Sequence, residues 1–262
     1  MNLKPKAALV LSGGGSLGVA HVGALKVLEK KYDFEYYSGV SAGAIVAAAH
    51  SIGKSAEEIS EIILNQNFLA LAFDFSHSNF GILRGEKIKK LLDETFKEQT
   101  FEDLEKFGKT LRIYATNFQN GERIEISSGK ISDAVMASLS VPILFEPHQY
   151  NGIWLVDGGL TGNFPMQETM QKYEGEKIIG IDVATAISND KDFSHHTIFG
   201  KVSGMQSVLE RTFRIFFKTQ NNYDASDKRL KIYTPKLEKF KTIDITKLKE
   251  IETAGEECCA QD

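Results

Sequence analysis

Residues Gly39-Val40-Ser41-Ala42-Gly43 read Gly-x-Ser-x-Gly, and this stretch decides how the rest of the sequence is interpreted. The pattern is typical of an elbow, a serine held on a sharp turn between a strand and a helix. Glycines flank the serine because a tight turn brings backbone segments close together, and glycine tolerates dihedral angles that other residues resist. The alanine-rich run Ala44–Ala49 predicts a helix packed behind the turn. An ordinary Gly-Ser turn gives the same five letters, so other parts of the chain must decide whether Ser41 is a nucleophile.

The composition is that of an ordinary globular protein. The chain has 262 residues, of which 42% are hydrophobic and 25% are charged. We expect one domain over residues 1–262, with a core over about 7–235 and a C-terminal helix over about 245–259. The formal net charge of −4 argues against a nucleic-acid-binding protein, although it does not exclude brief contact with a membrane surface.

The cysteines are informative about metal binding, and the apolar runs are informative about cellular location. Cys258 and Cys259 are adjacent, and no Cys/His spacing resembles a zinc site, so we expect neither a metal nor another cofactor. The apolar run Ala7–Leu11 is too short for a signal-peptide core, and no stretch is long enough to span a membrane. These features predict a cytoplasmic protein, and export without a cleaved signal would leave the same pattern.

Short apolar runs alternate with helical patterns along the chain. This alternation predicts one α/β domain with a mostly parallel sheet. Helical patterns lie at 19–31, 42–52, 86–96, 131–139 and 245–259. The strand-like runs are Ala7–Leu11, Tyr36–Ser38, Leu111–Thr116, Arg123–Ile126, Ile153–Val156, Lys177–Val183 and Lys231–Tyr233.

The segment Phe68–Phe80 is rich in Phe, Leu and Ala, and Asp74 and His77 interrupt it. It has two interpretations, a core helix or packed loop, and an apolar lid over an acyl-binding pocket.

The glycine loop, Ser12 to Gly18, follows the first strand and opens the first helix, which permits two interpretations. Gly13-x-Gly15-x-x-Gly18 matches the dinucleotide fingerprint. That interpretation needs a second strand ending in an acidic residue for the ribose, whereas here the second strand runs into the elbow. Alternatively, backbone N–H groups of the loop form an oxyanion hole for an ester attacked by the serine. The loop and the elbow together favour the oxyanion hole.

A second phosphate-binding pattern fails on spacing. Gly53-Lys54-Ser55 resembles the end of a phosphate loop, but Ala48 stands where that motif needs a glycine and no strand precedes it.

A serine nucleophile needs a base, and two interpretations remain open. The order Ser41, Asp157, then His195 or His196 matches that of α/β-hydrolases, but that fold places several strands before its elbow and only two fit here. His21 lies in the first helix, where we expect a packing or surface residue. The alternative base is Asp157 itself, at the end of a predicted strand, provided that partial desolvation raises its pKa.

Three motifs in order resemble those of the patatin-like phospholipases. They are the glycine loop Ser12–Gly18, the elbow Gly39–Gly43 and Asp157-Gly158-Gly159. The block from Ala137-Ser138 to Asn163-Phe164-Pro165 also resembles the segment around that family's catalytic aspartate. The similarity runs from about Ala7 to the terminal helix.

This resemblance implies a three-layer α/β/α fold and a metal-independent Ser–Asp dyad that releases fatty acids from lipid esters. Ser41 is then the nucleophile in its elbow with Gly39 and Gly43. Asp157, followed by Gly158 and Gly159, is the base. The backbone N–H groups of Gly13, Gly14 and Gly15 form the oxyanion hole. The implied substrate is a lipid ester, met in transient contact with a membrane or micelle surface.

One position departs from the family pattern. The family's loop usually carries Arg or Lys where this sequence has Leu17, so a preference for anionic phospholipids is in doubt. The alternative functions are a Ser–Asp–His esterase and a lipid- or nucleotide-binding module without turnover.

Overall fold

The computed structural model describes residues 3–65, 85–184, 212, 215–217, 219–220, 223–242 and 245–260. The predicted lid Phe68–Phe80 and the candidate histidines His195 and His196 lie outside these residues.

A mixed sheet of eight strands forms the centre of the described structure. The strands are β1 (Lys6–Leu11), β2 (Asp33–Val40), β3 (Thr110–Asn117), β4 (Arg123–Ile126), β5 (His148–Tyr150), β6 (Ile153–Asp157), β7 (Ile178–Ile181) and β8 (Leu230–Tyr233). Its hydrogen-bonded neighbours follow the order β5-β6-β3-β2-β1-β7-β8, and β4 also pairs with β3. The pairs β1–β2, β2–β3, β1–β7 and β7–β8 are parallel, whereas β3–β4, β3–β6 and β5–β6 are antiparallel, which confirms a mostly parallel sheet.

Helices cover both faces of the sheet, as the burial of β1 illustrates. Ala7, Leu9 and Leu11 point into a large core, whereas Ala8 and Val10 point into a smaller one on the opposite face. Most of the helices contribute residues to the large core, and the helix Met166–Lys172 contributes to the small one. A strand buried on both faces reads as a continuous apolar run, which is why β1 lacks alternation. The predicted three-layer α/β/α fold is confirmed.

The helices occupy most of the positions predicted from their spacing. The helix expected over about 245–259 begins at Leu248 and packs with Ile251 and Cys259 fully buried. Among the described residues, no helix combines the length and apolar character needed to cross a membrane. The helices are α1 (Val19–Lys31), α2 (Ala42–Ser51), α3 (Ala56–Asn65), α4 (Glu86–Phe96), α5 (Phe101–Lys106), α6 (Ile131–Leu139), α7 (Met166–Lys172) and α8 (Leu248–Ala260).

A buried carboxylate joins three of these helices. Glu252 of α8 is 1% exposed and lies 3.0 Å from Lys26 of α1. It also accepts a hydrogen bond from Ser60 of α3 at 2.5 Å and pairs with Lys249 at 2.7 Å. A buried carboxylate is tolerated only when it is paired and hydrogen-bonded, so this cluster specifies how α8 docks on α1 and α3.

We expect Glu252→Ala to lower the free energy of unfolding by about 2–3 kcal/mol, because Lys26 then loses its buried partner and keeps only the exposed Glu57. Glu250→Ala on the exposed side of the same helix is the control and should change stability by less than about 0.5 kcal/mol. Urea unfolding followed by circular dichroism measures both. Equal stability of the two variants would contradict a docking role for Glu252.

Candidate active site

Ser41 occupies the turn between β2 and α2 in a strained conformation. Its φ of 52° and ψ of −123° lie in a region that L-residues rarely adopt. The flanking glycines are required by space, because a side-chain carbon on Gly39 would lie 2.7 Å from the carbonyl oxygen of Gly43. One on Gly43 would lie 2.5 Å from the carbonyl oxygen of Leu11. Ser41 therefore lies on a tight turn between a strand and a helix, and it is 6% exposed there.

A second serine supports the elbow. The backbone N–H of Ser41 donates to Ser138 Oγ at 2.8 Å, and Ser138 Oγ in turn donates to the carbonyl oxygen of Tyr114 at 2.7 Å. Ser138 is fully buried on α6. Sequence reasoning assigned no role to Ser138, and the available signal was a small polar residue within an apolar helix pattern.

One edge of strand β3 brings Ser41 and Asp157 close together. Tyr114 pairs with Val40 of β2 and Glu125 of β4, while Ala115 pairs with Ile124 of β4 and Asp157 of β6. Because a strand has only two edges and β4 occupies one of them, β2 and β6 share the other edge. The two strands run toward each other along this edge. Strand β2 ends at Val40 beside Tyr114, and strand β6 ends at Asp157 beside Ala115. The residue after Val40 is Ser41, so the elbow and the aspartate converge.

Asp157 is held in a dry environment. It is 5% exposed, its Oδ1 accepts a hydrogen bond from Gly159 N–H at 2.7 Å, and its carbonyl oxygen accepts one from Thr116 Oγ1 at 2.9 Å. Desolvation raises the pKa of the carboxyl to about 6, although the Ser41 hydroxyl and the Gly159 N–H each favour its charged form. The buried Oδ2 has no hydrogen-bond partner among the described residues, although the Ser41 hydroxyl lies close enough to the carboxyl group to lower its pKa.

Gly158 and Gly159 turn the chain after Asp157. A side-chain carbon on Gly158 would lie 2.2 Å from the carbonyl oxygen of Tyr114, so only glycine fits against β3 there. Gly159 contributes the N–H that binds the carboxylate.

The glycine loop lies beside Ser41. A side-chain carbon on Gly13 would be 3.2 Å from Ser41 Cβ, which places the loop in contact with the elbow. The N–H of Gly13 donates to the carbonyl oxygen of Asn163 at 3.0 Å, so it does not face the site. The N–H groups of Gly14 and Gly15 have no hydrogen-bond partner in the described part of the chain. The N–H of Gly13 is therefore not available to an oxyanion, contrary to the expectation from the sequence, and the N–H groups of Gly14 and Gly15 stay candidates for that role.

Comparison with known proteins assigns the family. Residues 9–170, more than half of the chain, match the sequence model described as patatin-like phospholipase. The chain belongs to the patatin-like phospholipase family.

Named relatives agree with this patatin-like assignment. The chain is 32% identical over 165 residues to the uncharacterized NTE family protein Rv1063c of Mycobacterium tuberculosis, covering 62% of this chain and 45% of that protein. It is 34% identical over 204 residues to the uncharacterized protein R571 of Acanthamoeba polyphaga mimivirus, covering 70% of this chain and 67% of R571. The match thus spans less than half the length of the mycobacterial relative. The crystal structure of VipD from Legionella pneumophila has the same fold, with a TM-score of 0.60 at 16% identity over 99% of this chain and 66% of VipD.

The described histidines of this patatin-like chain make their recorded contacts with residues other than Ser41 and Asp157. His21 is fully buried, and its Nε2–H donates to the carbonyl oxygen of Ser12 at 2.8 Å. Burial lowers the pKa of His21 to about 4, so the ring is neutral at pH 7 and holds the start of the glycine loop. His50 lies against Glu29 and Tyr37, and His148 lies 3.9 Å from Asp133.

Leu17 is a core residue. It is 1% exposed and belongs to the large hydrophobic core. A cation at this position would be buried with the loop. The identity of residue 17 therefore affects the packing of the loop more directly than contact with a lipid head group.

The elbow strain predicts an unusual order of stability. Because φ is positive at residue 41, Ser41→Gly should be more stable than Ser41→Ala by about 1 kcal/mol. The control pair at Ser132, within the regular helix α6, should show the opposite order, with glycine less stable than alanine by about 1 kcal/mol. Chemical denaturation measures both pairs. The same order at both positions would contradict a strained Ser41.

The desolvated carboxyl predicts a stability that depends on pH. The pKa of Asp157 is higher in the folded protein than in the unfolded chain, so ionisation above pH 6 costs folding free energy, about 2–3 kcal/mol. Asp157→Asn removes this cost and should be more stable than wild type by about that amount at pH 8. The difference should shrink as pH falls through 6 and vanish below about 4. Denaturant unfolding at pH 4, 6 and 8 measures it, and an unchanged stability at pH 8 would exclude a desolvated carboxylate.

Proposed function

We propose that this protein is a serine lipid acyl hydrolase that cleaves carboxylic esters of the phospholipase A or lysophospholipase type with a Ser41–Asp157 dyad. The observation that carries this proposal is the convergence of the strained elbow and the desolvated Asp157 on one edge of β3. Family membership supports lipid acyl hydrolysis as the activity.

The acylation step follows from the positions of the groups. Asp157 accepts the hydroxyl proton of Ser41 while Ser41 Oγ attacks the ester carbonyl carbon. The carbonyl oxygen becomes an oxyanion, which the N–H groups of Gly14 and Gly15 stabilise. The bond to the leaving alcohol then breaks, the alcohol takes the proton from Asp157, and the acyl group remains esterified to Ser41.

Deacylation repeats these roles with water. Asp157 accepts a proton from a water molecule while the water oxygen attacks the acyl carbon. The second oxyanion forms beside the N–H groups of Gly14 and Gly15. The bond to Ser41 Oγ breaks, Ser41 recovers its proton from Asp157 and the fatty acid leaves. No step needs a metal ion. A carboxyl with a pKa of about 6 suits both directions of proton transfer, because the best base titrates near the working pH.

The substrate and its surroundings are part of the proposal. A long-chain lipid ester is presented in a membrane or micelle, so we propose transient contact with such a surface and no nucleic-acid partner. The rival mechanism uses a histidine triad with His195 or His196, and the rival function is a lipid- or nucleotide-binding module without turnover.

Hydrolysis of a p-nitrophenyl ester distinguishes these possibilities. Ser41→Ala and Asp157→Asn should each lower kcat by about 10³-fold or more, because the residues act as one unit. Replacing His195 and His196 together by alanine should leave the rate within about threefold of wild type. Loss of activity in the double histidine variant would favour the triad, and near wild-type rates in Ser41→Ala or Asp157→Asn would reject the dyad.

The pH dependence gives an independent check. We expect kcat/KM to rise with pH through an apparent pKa of about 6 and to level off above about 7, because Asp157 must be ionised to accept the proton. Labelling with a fluorophosphonate should follow the same profile and modify Ser41. A profile that titrates near 4 would contradict the raised pKa.

A further inference from the structure

Asn163 lies between the glycine loop and the turn of Asp157. It is 2% exposed, although asparagine is usually found at the surface. A side-chain carbon on Gly13 would lie 2.4 Å from Asn163 Oδ1, and one on Gly159 would lie 3.0 Å from the same atom. The carboxamide therefore fills the space between two segments of the proposed site.

Two hydrogen bonds join Asn163 to one residue of the loop. The carbonyl oxygen of Asn163 accepts the N–H of Gly13 at 3.0 Å, and Asn163 Nδ2 donates to the carbonyl oxygen of Gly13 at 3.1 Å. Rotating the carboxamide by half a turn would place Oδ1 against the Gly13 oxygen, which is also an acceptor. The observed orientation is therefore the one that hydrogen bonding allows.

The second of these bonds acts on the next peptide group. The carbonyl of Gly13 and the N–H of Gly14 belong to the same planar trans peptide, so they point in opposite directions. A bond that fixes the Gly13 oxygen therefore fixes the direction of the Gly14 N–H. Glycines on both sides offer no side chain to resist rotation of this peptide. Asn163 supplies the restraint that the loop itself lacks.

We propose that Asn163 is a positioning residue that holds the Gly13–Gly14 peptide with the Gly14 N–H directed at the developing oxyanion. This inference rests on the proposed acyl hydrolase function. It adds a side chain to a site whose other oxyanion contacts come from backbone alone.

The first test is Asn163→Ala in the full-length protein. Loss of the Nδ2 donor frees the Gly13 carbonyl, so kcat for a p-nitrophenyl ester should fall by about 100-fold with KM changed by less than about threefold. Inactivation by a fluorophosphonate should slow in parallel, because it passes through a similar oxyanion. Asn117→Ala is the matched control, since Asn117 is also buried and accepts a hydrogen bond from Gln119 N–H at 2.9 Å. The control should keep kcat within about threefold.

Asn163→Asp keeps the shape of the side chain and gives a readout that a purely structural role would not move. When ionised it has no N–H to donate to Gly13, so kcat should fall as in the alanine variant. Its charge near Asp157 should also move the acidic limb of the pH profile upward by about one unit. This near-isosteric variant carries the test if Asn163→Ala does not fold, as judged by its thermal melting.

The Gly14 amide gives a signal that does not depend on activity. In ¹⁵N–¹H spectra, Asn163→Ala should shift the Gly14 resonance and speed its hydrogen exchange, whereas Asn117→Ala should leave both unchanged. If the wild type neither hydrolyses esters nor labels at Ser41 while this shift appears, the proposed function fails and the restraint stands. If the wild type is active and both folded Asn163 variants keep kcat within threefold, the positioning role is overturned.

Discussion

The site depends on the shared edge of β3 at Tyr114 and Ala115. Strand β2 ends against Tyr114 and strand β6 ends against Ala115, so one edge aligns the elbow and the aspartate. The carbonyl oxygen of Tyr114 also contacts two other parts of the site. It accepts a hydrogen bond from the Ser138 hydroxyl, and it leaves no room for a side chain on Gly158. A shift of β3 by one residue would displace both candidate catalytic residues together.

Two features that cost folding free energy lie next to each other at this edge of β3. Ser41 is held at a strained φ, and Asp157 is held out of water with a raised pKa. Each lowers folding stability, and both persist because the surrounding elements are buried and hydrogen-bonded. Such an arrangement is expected where a serine must be held in place for attack beside a base that titrates near neutral pH.

The parts of the site that the sequence predicted are those with a local signature. The elbow needs glycine at positions 39 and 43 because of contacts with its own turn and the adjacent strand, so Gly-x-Ser-x-Gly is visible in five residues. The α/β alternation and the mostly parallel sheet were predicted for the same reason, since apolar runs reflect burial on both faces. The full length of β2, Asp33–Val40, was underestimated because Asp33 and Glu35 interrupt its apolar pattern.

The sequence by itself determined the fold class, the family and the positions of Ser41 and Asp157 along the chain, because these follow from short patterns of small, apolar and acidic residues. Only the tertiary structure decided what those residues touch. The Gly13 N–H is taken by Asn163, which is 150 residues away, and Ser41 N–H is bound by Ser138, which is 97 residues away. The desolvation of Asp157 likewise arises from packing between β3, β6 and the elbow. Long-range hydrogen bonds and the burial of single polar side chains have no local pattern, since a buried asparagine or serine looks like an exposed one until the chain has folded around it.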